Sequence, residues 1–198
     1  MSSDTRERIV AAAAAVMREQ GVGGATTKQI ARRAGVAEGS IYNHFTDKLD
    51  LLGAVILDEI HLREEVATLR EPQGDRDLTD VVQRLVMGCL EALPDVLELS
   101  AYALAEPQLR AEFAERLQSK EAGPVGAQVA LSDYLRVLQE TGEVRADADP
   151  ETAATMCLGA CYFHAYDELV RSAPAARGRR IRQAQAITAM LVDYLTPR

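Results

Sequence analysis

The stretch TTKQIARRAGVAEGSIYNHFTDKLDLL, Thr26 to Leu52, changes pattern twice within a few turns of chain. Thr26 precedes Gln29 by three residues, the spacing at which a hydroxyl and an amide cap a helix start reciprocally. Ile30, Ala31 and Ala34 then fall on one helical face, with Lys28, Arg32 and Arg33 on the other. Gly35 ends this short helix and permits a sharp turn where a side chain would clash. Val36 is expected to plug the core between two helices, and a third helix is expected from about Ala37 to Phe45. Two short helices joined by a glycine-containing turn form a helix-turn-helix, whose second helix enters the DNA major groove.

Each residue type in that second helix has a reason. Gly39 and Ser40 are small, so the helix can approach base edges in a groove about 12 Å wide. Tyr42 and His44 carry donors that reach phosphates. Lys48 opens the next helix, where backbone N–H groups and its ammonium can both meet a phosphate. Phe45 is expected to face back and pin the motif to its core.

Upstream, a helix is expected from about Thr5 to Gln20, capped by Asp4, with Ile9, Ala12, Ala13, Val16 and Met17 as its buried stripe. Gly21-Val-Gly-Gly should stop it. Downstream, a fourth helix should start near Asp47-Lys48 and run to about Leu69, with Leu51, Val55 and Leu62 among its apolar positions, until REPQGDRD breaks it. The next helix covers 78–93 and should end at Pro94, leaving a shorter segment from Asp95 to Ala105. Further helices are expected from Pro107 to about Lys120, from Val125 to about Thr141 and, with Asp149 as cap and Pro150 in the first turn, to about Arg171. SAPAARGRR reads as a surface loop before a last helix from Ile181 to about Leu195. The pattern contains no strand, so the fold class is all-α.

The chain has 198 residues, 47% of them hydrophobic, enough for a substantial core without disulfides or metals. No Trp and few aromatic residues argue against a stacking platform for single-stranded nucleic acid. The three cysteines lack the pattern of a secreted disulfide scaffold. The N-terminus does not read as a signal peptide, and no segment approaches the roughly 18 apolar residues of a membrane span, so a cytoplasmic location is expected. Net charge is −8, yet residues 1–50 carry seven basic against six acidic groups. An acidic body repels DNA, which places any DNA contact in the N-terminal segment.

Together with the preceding GVGGA, the stretch Thr26–Leu52 closely resembles the tetracycline-repressor (TetR/AcrR-type) family of bacterial transcription regulators. The A-G-V turn, the Y-x-H-F ending and the following Lys-x-x-Leu fall at the family's spacing over about the first quarter of the chain. The resemblance implies an all-α homodimer. Residues 1–48 would bind a double-stranded DNA operator, and residues 49–198 would bind a small, mainly apolar effector and dimerise through the last two helices. It implies a repressor that leaves a palindromic operator when the effector binds. By position, Lys28, Glu38, Gly39, Ser40, Tyr42 and Asn43 would face bases or the groove, and Thr27, Tyr42, His44 and Lys48 would hold phosphates. Glu38 departs from a phosphate-seeking surface. It can accept from a cytosine amino group or simply cap the third helix. Asn43 can pair with adenine or touch backbone.

Beyond residue 52 only the architecture resembles the family. Met87, Leu90, Tyr102, Tyr134, Leu138, Met156, Phe163 and His164 are candidates to line an effector cavity, with Tyr102, Tyr134 and His164 as polar anchors. Ordinary core packing is the competing reading for each. Cys157, Cys161 and His164 share one helical face and could bind zinc or copper or sense oxidants, but buried cysteine more often packs as a small hydrophobe. Asp167 and Glu168 read as solvated surface. No metal or cofactor is expected. The sequence holds no G-x-S-x-G, phosphate loop or H-E-x-x-H, which argues against an enzyme. The alternative to a regulator is a helical small-molecule carrier, or a thiol or metal sensor, with weakened operator binding.

Overall fold

The computed structural model describes residues 2–59, 62–70, 77–119 and 123–197. Every regular element among the described residues is an α-helix: α1 Ser2–Gly24, α2 Thr27–Ala34, α3 Glu38–Tyr42, α4 Lys48–Glu59, α5 Leu62–Arg70, α6 Leu78–Ala105, α7 Pro107–Ser119, α8 Gly123–Thr141, α9 Pro150–Arg171 and α10 Arg177–Leu195. None of these is long and apolar enough to cross a membrane. The helices form two compact units, one of Met1–Ile60 and Asp95–Lys120, the other of His61–Pro94 and Glu121–Arg198.

In the first unit α1 packs against α2 and α4, and α4 also packs against α7. The expected stripe of α1 is buried, including Ile9, Ala13 and Met17. The helix starts earlier than expected, at Ser2, and breaks where expected, at Gly21, whose φ 72° and ψ 157° are not helical; a separate short turn follows to Gly24, closed by the Ala25 N–H donating to the Gly21 carbonyl at 3.1 Å. Asp4 lies in the first turn rather than at the cap. The expected continuation of α4 through residues 60 and 61 lies outside the described residues, as do the Leu62 side chain and most of REPQGDRD.

Pro94 does not end a helix: α6 runs through it to Ala105. A proline in a helix interior costs about 3 kcal/mol through its missing N–H and its clash with the preceding turn. Buried Leu85, Leu90 and Leu93 before it, and Leu99 and Ala103 after it, offset that cost, since each buried leucine contributes about 1.5–3 kcal/mol.

In the second unit α8 packs on α9 and α5, and α9 on α10. Asp149 caps α9 by accepting from the Glu151 N–H at 3.2 Å, with Pro150 at the first helical position as expected. Two readings need correction here. The segment Arg177–Arg180 is the first turn of α10, not loop. Glu168 is buried, its carboxylate accepting from Arg180 Nη2 at 2.7 Å and from the Ala175 N–H at 3.0 Å. Asp167 likewise pairs with Arg171 and Arg179. These charges join α9 to the start of α10, a partnership that periodicity cannot reveal. In the last helix Ala184, Thr188, Leu191 and Leu195 are buried, whereas Ile181 is exposed.

Candidate nucleic-acid interface

The α2–turn–α3 segment is built from satisfied ends. The Thr26 hydroxyl accepts from the Gln29 N–H at 3.3 Å, and the Gln29 side chain accepts from the Thr26 N–H at 3.0 Å. At the other end Gly35 sits at φ 67°, the left-handed region that a side chain disfavours. The Gly35 and Val36 N–H groups donate to the Arg32 and Ala31 carbonyls at 3.3 and 3.0 Å. Arg8, on α1, donates to the Ala34 and Gly35 carbonyls. The terminal carbonyls of α2 are therefore met by backbone and by one guanidinium, whose positive charge suits a helix C-terminus. Arg33–Glu19 at 2.6 Å and Gln29–Gln20 at 2.8 Å fix α2 to α1.

Ile30, Ala31, Ala34, Ile41 and Phe45 face the core, with Val36 packed partly against it. Arg6 stands 5.2 Å from the Phe45 ring centroid. The opposite face is polar and small. Lys28, Glu38, Gly39, Tyr42 and Asn43 are exposed, and Thr27, Ser40, His44 and Lys48 are half-buried. A Cβ added at Gly39 would meet nothing within 4 Å, so packing does not require glycine there. α3 is shorter than expected, and its cap residue is Ala37, which makes no side-chain capping bond. Glu38 is thus not the cap. Its carboxylate accepts from the Thr27 hydroxyl at 2.6 Å, so two residues expected on the DNA face hold each other.

The start of α4 is anchored from α7. Asp47 accepts from the Asp50 N–H at 2.8 Å and, through both oxygens, from Arg116 at 2.9 and 2.7 Å. The Arg116 guanidinium holds the Asp47 carboxyl well below the usual carboxylate range. Next to it the Lys48 ammonium donates to the Gly23 carbonyl at 3.2 Å and lies 5.6 Å from the Tyr102 ring centroid. Burial pushes the Lys48 ammonium below its ordinary value. Arg8, Arg116 and Tyr102 escaped the reading of the sequence as parts of this region. Their partners lie 26 or more positions away, and no local pattern marks them.

The residues expected to line an effector cavity differ in burial. Leu90, Tyr134 and Leu138 are buried in the second unit, and Met87 is half-buried. Met156 and Phe163 point out of α9, 69% and 67% exposed. His164 Nδ1 is 2.8 Å from the Gln183 side-chain nitrogen on α10. Tyr102 belongs to the first unit, against Gly23 and Lys48. The cysteines are free and buried. Burial pushes the Cys157 thiol up to about 12, and a hydrogen bond with Cys89, with burial added, raises Cys161. His164 does not join them. Among the described residues no group of three His, Cys, Asp or Glu side chains is placed to hold a metal ion.

Residues 9–55, which span this helix-turn-helix, match the family described as bacterial regulatory proteins, tetR family. The transcriptional regulator SrpR of Pseudomonas putida is 48% identical over 60 residues, which are 30% of this chain and only 28% of SrpR. The transcriptional regulator BetI of Serratia proteamaculans is 32% identical over 199 residues, 96% of this chain and 90% of BetI. A solved structure from Mesorhizobium loti, itself described as a TetR-family regulator, superposes with a TM-score of 0.74 over 100% of this chain and 99% of that one. At 20% identity this last likeness speaks for the fold. With a motif match on the described helix-turn-helix and a relative similar along nearly its whole length, this chain belongs to the tetR family of bacterial regulatory proteins.

Proposed function

We propose that this tetR-family transcriptional regulator represses by binding a palindromic operator as a homodimer, and that a small, mainly apolar effector releases it. Residues 1–48 act as the DNA-binding head and 49–198 as the effector-binding and dimerisation part. The observation that carries the reading is the division of α2 and α3 into two faces. Ile30, Ile41 and Phe45 hold the pair to the core, while Lys28, Gly39, Tyr42 and Asn43 stay exposed. Gly39 and Ser40 let α3 approach base edges. Tyr42, His44 and Lys48 hold phosphates through their side chains, and Thr27, whose hydroxyl donates to Glu38, does so through its backbone N–H at the start of α2. Glu38, already bonded to Thr27, offers its carboxylate to a cytosine amino group.

The dimer reading rests on apolar side chains left in the open. Met156, Phe163, Tyr166 and Val170 recur at helical spacing along α9 and are 61–69% exposed; Met190 and Tyr194, one turn apart on α10, are 76% and 42% exposed. Such a stripe calls for a partner surface, and a second copy supplies it with two-fold symmetry. Each dimer then presents two copies of α3 to half-sites about 34–36 Å apart or somewhat more. A coupling of about 1–3 kcal/mol between effector and operator changes affinity roughly 5–150-fold. Selection of genomic fragments with purified protein and no effector, followed by footprinting, tests the reading. A protected palindrome is expected. The absence of any enriched fragment at low salt would favour a helical carrier that no longer reads DNA.

A further inference from the structure

We propose that Tyr102 is a positioning residue for operator binding: its ring face and the Gly23 carbonyl together hold the Lys48 ammonium where it meets a DNA phosphate. The inference rests on the reading of Lys48 as a phosphate contact. A lysine ammonium has three donors on a flexible four-carbon stem. One donor here is spent on the Gly23 carbonyl at 3.2 Å, and the Tyr102 ring centroid lies 5.6 Å from the nitrogen, within cation–π reach. The ring also packs on Gly23: a Cβ added there would lie 3.6 Å from Tyr102 Cε2 and 3.9 Å from Cδ2. Gly23, Lys48 and Tyr102 therefore form one contact from three elements, α1, α4 and α6. Lys48 is only half-buried, so it keeps an open side toward solvent at the start of α4. A stem already fixed in this way loses less rotamer freedom when a phosphate arrives than a free surface lysine does.

Tyr102 is itself 38% exposed, and the ring acts through its face, not its hydroxyl. These features set the expected behaviour of its variants. Tyr102→Phe keeps the face; Tyr102→Leu keeps packing on Gly23 but removes the attraction for a cation.

The test uses full-length protein and a short random-sequence duplex, because a phosphate contact does not depend on base sequence. Kd is titrated at several salt concentrations for wild type, Tyr102→Leu, Tyr102→Phe, Lys48→Ala and the Tyr102→Leu/Lys48→Ala pair. Tyr102→Leu should weaken binding about two- to fivefold, the low end of the cost of immobilising one rotamer-rich side chain on binding, with an unchanged salt slope. Tyr102→Phe should match wild type. Lys48→Ala should weaken binding and lower the slope by about one. In the Lys48→Ala background Tyr102→Leu should have no further effect. Equal losses with and without Lys48, or a Tyr102→Phe as weak as Tyr102→Leu, overturn the proposal while leaving the phosphate reading intact. An unchanged Lys48→Ala overturns both. If Tyr102→Leu does not fold, proton NMR of the wild type decides instead. The Lys48 methylene protons next to the ammonium should be shifted upfield by the ring in wild type and in Tyr102→Phe, and unshifted wild-type protons refute the contact.

Discussion

Replacing Arg180 by alanine should strand a buried carboxylate and make stability depend on pH in the reverse sense. The Glu168 side chain is 4% exposed and that of Arg180 20%. Burial alone raises the pKa of Glu168. The hydrogen bonds from Arg180 and the Ala175 N–H, with the nearby guanidinium charges, outweigh it, and the net shift is downward. In the native protein this group therefore adds stability above its unfolded pKa of about 4.3, and that contribution is lost as pH falls through the lower folded value. Without Arg180 the burial remains and the main opposing partner is gone. The folded pKa then moves above the unfolded one, so the variant's penalty is smallest at acid pH and grows as pH rises through the raised value. Removing one partner of a buried pair costs about 3–5 kcal/mol. The retained Ala175 N–H and the partial exposure of Arg180 place this case near about 3 kcal/mol at pH about 7, or roughly 6–12 °C in Tm for a chain of this length. Thermal unfolding by circular dichroism, at one protein concentration and at pH about 5 and 7, reads both the size and the sign. Glu168→Gln in the same background should recover much of the loss at neutral pH. A loss that is the same at both pH values and is not relieved by Glu168→Gln refutes the reasoning.

Asp47→Ala removes the cap of α4 and the two-pronged Arg116 contact. A cap is worth about 1 kcal/mol and an exposed ion pair up to about 1, so urea unfolding should show a loss of about 1–2 kcal/mol at neutral pH. Because Arg116 holds Asp47 low, its contribution in wild type should persist to below the usual carboxylate range and vanish only in strong acid. Phe163→Glu, on the exposed stripe of α9, should convert the dimer to monomer in analytical ultracentrifugation without lowering helix content; an unchanged sedimentation profile would exclude this face from the interface. Cys157 and Cys161 should react with a thiol reagent orders of magnitude more slowly in the native than in the unfolded protein, since the reactive thiolate is suppressed at both. Rapid labelling with loss of DNA binding would revive a thiol sensor.

The parts of the fold legible in the sequence are those decided within a turn or two of chain. Thr26 with Gln29, Gly35 at the turn, and Asp149 with Pro150 each carry their hydrogen bonds or backbone angles locally, and each stands where the pattern puts it. The helix through Pro94 was not legible, because burial on both sides of the proline decides it. The same holds for Arg177–Arg180, whose residues read as a polar loop until Asp167 and Glu168 are brought beside them. At the candidate interface the exposed residue types were legible. What fixes them was not: Arg8 on the turn carbonyls, Thr27 on Glu38, and Tyr102 on Lys48 are all pairings made by tertiary folding.

The most direct measurement is a footprint of the selected operator with wild type and Gly39→Leu side by side. A Cβ at Gly39 meets nothing in the protein, so the substitution should leave folding and dimerisation intact. If α3 lies in the major groove, the leucine collides with base edges, and Gly39→Leu should lose the protected palindrome while keeping weak, salt-sensitive binding to any DNA. An identical footprint from both proteins would contradict the account, because α3 would then not be the helix that reads the operator.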